Sequence, residues 1–203
     1  CNLTDHGIGV MLIMRGPGGF SGGQALDAMV SHVDVYPTLC DLLEIDPPGW
    51  LQGRSMMPLI RGEAEEINEE VYADVTYHAA YEPLRCVRTR RFKYVRRFDG
   101  RETPVLPNVD DGPSKSLLLE RGWGEGPADT EQLYDLFFDP HEAHNLASDI
   151  THSATLSDMR RRLQRWMERT EDPLLSGPVP APHGAQVNDP DGLSPREPVI
   201  EIE

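Results

Sequence analysis

The chain has 203 residues, enough for one sizeable hydrophobic core or two modest ones. Its formal charge of −15, from 34 acidic residues against 19 basic ones, excludes a general nucleic-acid binder. The longest apolar run, Val10 to Met14, is far too short to cross a bilayer, and Cys1, Cys40 and Cys86 form neither a disulfide framework nor zinc pairs.

The chain does not begin with Met and runs almost at once into apolar residues, so we expect a piece whose N-terminal part is missing. Val10 to Met14 is predicted to be a strand buried on both faces, ended by the Gly-rich loop 16–24. That loop lacks the Lys-Ser/Thr of a phosphate loop and is expected to be surface chain. Asn2-Leu3-Thr4 fits a glycosylation sequon. Ser31 to Ile45 is predicted to be a helix capped by Asp34, with Val35, Leu39, Leu42 and Leu43 on one apolar face, and Cys40 is expected to be buried. A short helical turn is expected at Met56 to Ile60, followed by an acidic connector.

Glu70 to Phe98 organises the rest. Val71, Ala73, Val75 and Tyr77 alternate as in a strand; a polar crest follows from Tyr77 to Pro83, and then a basic two-strand hairpin. Groups on a loop between two strands are well placed for binding. Here His78 offers a hydrogen-bonding ring and Arg85 a bidentate fork for an anion. The competing reading is a surface loop, and the other arginines suit a strand's solvent face.

Asp99 to Asp129 is irregular, with a helical island at Ser114 to Arg121; so long a stretch is either functional or disordered. Leu133 to Phe138 is predicted to be a strand, and His141, Glu142, His144 and Asn145 a turn rather than a ligand cluster. Thr151 to Thr170 shows the strongest helical pattern, with Leu156, Met159, Leu163, Trp166 and Met167 as its stripe. The Pro- and Gly-rich tail after Asp172 should be extended coil. Asp5-His6 suits a divalent cation chemically, but also reads as the turn entering the next strand.

Four segments, in order, carry a resemblance. Ser31 to Leu39 resembles "SxxDxxPTL", Gly53 to Gly62 "GxSLxPLLxG", Arg85 to Tyr94 "RAVRTxRYKY", and Leu133 to Ala147 "LYDLxxDPxExxNLA". Together they resemble the C-terminal part of type I sulfatases of the alkaline-phosphatase-like superfamily, in the N-sulfoglucosamine sulfohydrolase-like branch.

The resemblance implies an α/β fold: the end of the core over 1–65, an antiparallel α+β subdomain over 66–172, and a tail over 173–203. It implies a sulfuric ester or sulfamate hydrolase acting on a small anionic or sulfated substrate such as a glycan, with no nucleic acid and no membrane as partner. His78 and Arg85 would contact that substrate. In such enzymes a formylglycine made from a Cys/Ser-x-Pro-x-Arg motif attacks sulfur and Ca²⁺ polarises the sulfate. That motif is absent here, and Cys86-Val87-Arg88-Thr89-Arg90 lacks its Pro. No catalytic or metal residue is therefore assigned, Asp5-His6 included, and the fragment alone is expected to be inactive without the missing N-terminal part. The alternatives are the same piece of a phosphonate or phosphate monoester hydrolase, and a non-catalytic anion- or glycan-binding module.

Overall fold

A computed structural model describes residues 3–17, 20 and 22–203. Cys1, Asn2 of the sequon, and positions 18, 19 and 21 of the Gly-rich loop lie outside the described residues. The chain divides into two compact units. One comprises the described residues up to Gly9 with Ala73–Val87 and Arg91–Glu203, and the other comprises Val10–Tyr72 with Arg88–Arg90.

The helices are α1 (Asp5–Ile8), α2 (Val35–Leu42), α3 (Met57–Ile60), α4 (Pro113–Glu120) and α5 (Ser153–Arg169). The strands are β1 (Glu70–Tyr77), β2 (Tyr81–Thr89), β3 (Phe92–Arg97), β4 (Glu131–Asp135), β5 (Gln186–Val187) and β6 (Ile200–Glu201). β1 to β4 form one sheet in chain order, and β5 pairs with β6. Two connections in the sheet, 78–80 and 90–91, are too short for a parallel crossover, and β4 runs antiparallel to β3. The expected mixed fold with an antiparallel subdomain is therefore present.

In the first unit the period-2 alternation of β3 decides which side chain goes where. Tyr94 pairs with Leu133 on one face; Lys93 pairs with Tyr134 and Val95 with Gln132 on the other. The Tyr94–Leu133 face is covered by α5, whose stripe Leu156, Met159, Leu163 and Met167 is buried as its spacing predicts. On the other face Leu3, Val75, Cys86 and Val95 form a small core, with Ile8, Ala73 and Leu84 packed against it.

In the second unit Met56, Met57 and Ile60 form the core. The Ser31-to-Leu39 and Gly53-to-Gly62 segments meet there for a definite reason. Asp34 is buried and accepts hydrogen bonds from the Ser31 and Arg54 amides and the Asn68 side chain, each at 2.8 Å. Thr38 donates to the Asp34 carbonyl and accepts from the Met56 amide. Gly53 passes so close to this turn that a Cβ would lie 1.9 Å from the Val33 carbonyl oxygen. Those motif positions are thus a polar clasp between α2 and the loop before α3.

The structure corrects several expectations. Val10 to Met14 pairs with no strand among the described residues, and its side chains are largely exposed, Met11 at 85% and Ile13 at 79%. Without a ladder partner an apolar segment has neither backbone bonds nor a layer to cover it. The predicted helix over 31–45 is a 3-10 turn followed by α2, with Asp34 bonding Ser31 rather than capping α2 by its side chain. Glu44, at φ 56°, ends it, as the Ile45 amide reaches the Cys40 carbonyl and the Glu44 amide the Asp41 carbonyl. Leu39 and Leu43 are exposed, whereas Thr38 and Cys40 are buried, because the Asp34–Thr38 clasp turns that face inward. β4 ends at Asp135, leaving Phe137 and Phe138 exposed in the following turn. Only part of the tail pairs, yet Asp172 and Asn188 are buried.

The hairpin departs furthest from its solvent-face reading. Arg85 and Lys93 are buried and matched to carboxylates from distant segments, and Arg97, nearly buried, is matched to Glu82 in β2 and to Asp99. Arg90 and Arg91 remain outside, held by exposed or half-exposed contacts to Asp27 and Glu66 and to Asp135 respectively.

Candidate functional site

The crest is shorter than the sequence suggested: Tyr81, Glu82 and Pro83 belong to β2, so the turn is His78-Ala79-Ala80. Its backbone is fixed almost completely. The His78 amide donates to the Ala80 carbonyl at 3.3 Å. The buried Asn108 side chain accepts from the Ala79 and Ala80 amides at 2.9 and 2.8 Å. Its Nδ2 donates to the Ala80 carbonyl and to Glu82 Oε2. From the tail, the Asn188 amide donates to the Ala79 carbonyl at 2.7 Å.

Two aromatic side chains extend this strap. The Tyr77 and Tyr81 rings lie 4.9 Å apart, and their hydroxyls bond the Val179 carbonyl and amide. Burial and the neighbouring Tyr81 raise the Tyr77 phenol above its ordinary range, which keeps it protonated as a donor. On this platform the His78 side chain is exposed, and its ring makes no hydrogen bond to a described residue. Its place accords with a contact to a ligand from outside.

Arg85 is placed differently from a substrate ligand. It is 3% exposed, and all five of its N–H groups are spent inside the unit. Nε and one Nη2 hydrogen go to Asp172 at 2.5 and 3.1 Å, the Nη1 pair to the Val75 and Leu84 carbonyls, and the last to Thr76 Oγ1. Asp172 is delivered by the end of α5. Glu171 is left-handed at φ 53°, and the Asp172 amide reaches back to Met167, a Schellman closure that turns the chain toward β2. Burial would raise the Asp172 carboxyl, but the bonds from Arg85 and the Leu174 amide bring it below the usual range. The structure thus brings Arg85 beneath the crest, not into its ligand face.

Asp5 and His6 lie in α1, not in a turn entering a strand. Asp5 Oδ1 is 2.7 Å from the wholly buried Lys93 Nζ, and the Asp5 amide donates to Glu142. Lys93 also reaches both Glu142 oxygens at 3.0 Å, so its three hydrogens are directed at carboxylates. The His6 and His141 rings come within 5.9 Å, centroid to centroid. His144 points outward while its amide bonds Asp139. Among the described residues no three His, Cys, Asp or Glu side chains converge as a metal site, and the Asp5 carboxylate is already committed to Lys93. Buried Cys86 lies in the core of its unit.

Asn108, Asp172 and Asn188 escaped the sequence reading, and Glu142, read there only as part of a turn, pairs with Lys93. Buried Asn and Asp in irregular chain carry no periodic signal; only the length of the 99–129 stretch hinted that it would fold onto something.

Comparison with known proteins settles the class. Residues 3–116, more than half of the chain, match the family described as N-sulphoglucosamine sulphohydrolase, C-terminal. The chain belongs to that sulfatase family. It is 29% identical over 185 residues to an ulvan-active sulfatase of Formosa agariphila, covering 89% of this chain and 37% of that protein. It is 30% identical over 181 residues to human N-sulphoglucosamine sulphohydrolase, covering 77% and 36%. A solved 2-O GAG sulfatase superposes with a TM-score of 0.54 at 27% identity, covering 81% of this chain and 31% of that one. The chain thus spans little more than a third of the sulfatases it matches and corresponds to their C-terminal part.

Proposed function

We propose that this chain is the substrate-facing C-terminal part of a sulfuric ester or sulfamate hydrolase, and that its contribution is recognition of a sulfated sugar through His78. The observation that carries this reading is an exposed imidazole on a turn whose backbone is held by Asn108 and Asn188. A ring on so fixed a turn can hydrogen-bond a sulfate oxygen with little ordering cost. The relatives named as ulvan-active sulfatase and N-sulphoglucosamine sulphohydrolase support a sulfated saccharide as the substrate class. The nucleophile and metal would come from the remainder of the polypeptide. Arg85 serves as a positioning residue, locking β1 and β2 to the end of α5.

The test is turnover of sulfated sugars by the full-length enzyme. His78→Ala should lower kcat/KM roughly tenfold or more, the loss of one charge-assisted hydrogen bond, while the melting temperature stays unchanged. Unaltered kinetics would remove His78 from the site. Faster turnover of phosphonate or phosphate monoesters than of sulfate esters would overturn the sulfatase reading itself.

A further inference from the structure

The first unit holds a cleft of about 400 Å³, within the usual range for small-molecule sites. It lies on the Val95 face of the sheet, roofed by the irregular chain between β3 and β4. Trp123 stands at its wall, placed by a turn in which Gly122 is left-handed at φ 84°. Gln132 and Tyr134, two apart on β4, line it from the same face, and Thr4, Glu82, Arg97, Asp129 and Glu142 add to its polar lining.

We infer that this cleft binds an uncharged sugar ring. Trp123 supplies an aromatic wall for the C–H face of a pyranose. Around it stand groups of both polarities: the Gln132 amide, the Tyr134 hydroxyl, the Asp129 carboxylate and the Arg97 guanidinium. Tyr134 makes no hydrogen bond to a described residue. Burial, then the charges of Glu142, Asp129 and Asp139, push its phenol up to about 12, so it stands ready as a donor.

Other ligand classes fit less well. The Arg97 charge is already balanced by Glu82 and Asp99, while Asp129 has no ion-pair partner among the described residues, so a sulfated or carboxylated sugar meets net repulsion. An apolar ligand would leave the Tyr134 hydroxyl without a partner. A divalent cation finds no three converging ligands among the described residues. The inference concerns binding by this unit and stands whether or not the full-length protein hydrolyses sulfate.

The experiment is ligand-observed NMR on the full-length protein with the methyl glycosides of glucose, xylose and rhamnose, beside glucosamine and glucose 6-sulfate. At least one methyl glycoside should receive saturation from the protein and shift the Trp123 indole resonance. Trp123→Ala and Gln132→Ala should each weaken binding roughly tenfold, with Trp50→Phe as the neutral control. Should Trp123→Ala melt early, the indole shift in the unmodified chain and Gln132→Ala carry the test. Binding by no methyl glycoside, tighter binding of glucose 6-sulfate, or affinity untouched by Gln132→Ala would overturn it. Preference for glucosamine that vanishes in Asp129→Asn would also overturn it, by showing a cation site.

Discussion

Arg85 and Asp172, 87 positions apart, share two hydrogen bonds in the interior of one unit, and each side chain is at most 5% exposed. The pair ties the second strand of the sheet to the end of the long helix, and it is closed by three further bonds from the same guanidinium. Breaking a buried pair on one side leaves the other charge stranded, which costs about 3–5 kcal/mol. Arg85→Ala or Asp172→Ala should therefore lower stability by that order in urea melts. The double variant should cost less than the sum, and additive costs would show the pair to be uncoupled.

Acid should unfold this unit through its paired carboxylates. Asp172, Glu131 and Asp135 all sit below their ordinary values, the last two through Arg160 and Arg91 respectively. A depressed folded value means that the stabilisation is present above the unfolded value of about 4 and is lost as pH falls through the folded ones. The melting temperature should hold between pH 7 and 5 and drop below about 4. Asp172→Asn should be less stable at pH 7 and lose less on acidification; a parallel curve would clear Asp172 of the effect.

Asn108→Ala should loosen the His78 turn. Two amides, a carbonyl and Glu82 lose a buried partner, at about 1–3 kcal/mol for each group left unsatisfied. Amide exchange at Ala79 and Ala80 should speed up more than at β3, and Asn108→Asp should restore only the acceptor half. Uniform exchange across the sheet would place Asn108 in general packing instead.

Gly53→Ala is expected to destabilise the second unit by about 3 kcal/mol or more, since the added methyl would overlap backbone at Val33 that Asp34 and Thr38 hold in place. Denaturation followed at Trp50, in that unit, reads this directly. Wild-type stability would mean the clasp can open.

What the sequence disclosed followed from periodicity. The α5 stripe and the alternation of β1 repeat within a few residues, so they could be read locally. The charges of the hairpin could not. Alternating Arg and Lys look alike whether they face water or a buried acid, and Asp5, Glu142 and Asp172, which meet Lys93 and Arg85, lie outside any local window. The same holds for His78: its exposure was legible from the crest, whereas its rigidity depends on Asn108 and Asn188. Val10 to Met14 shows the converse, since composition announced a buried strand that nothing among the described residues pairs with.

The strap on the His78 turn has a practical consequence for where this polypeptide may be cut. The family match ends at residue 116, yet Asp172, Val179 and Asn188, which hold the turn and the strands beneath it, all lie beyond. A protein trimmed to that boundary would lose the Leu133-to-Ala147 segment and present its histidine on a slack hinge. Fusion partners and truncations belong after the β5–β6 pair.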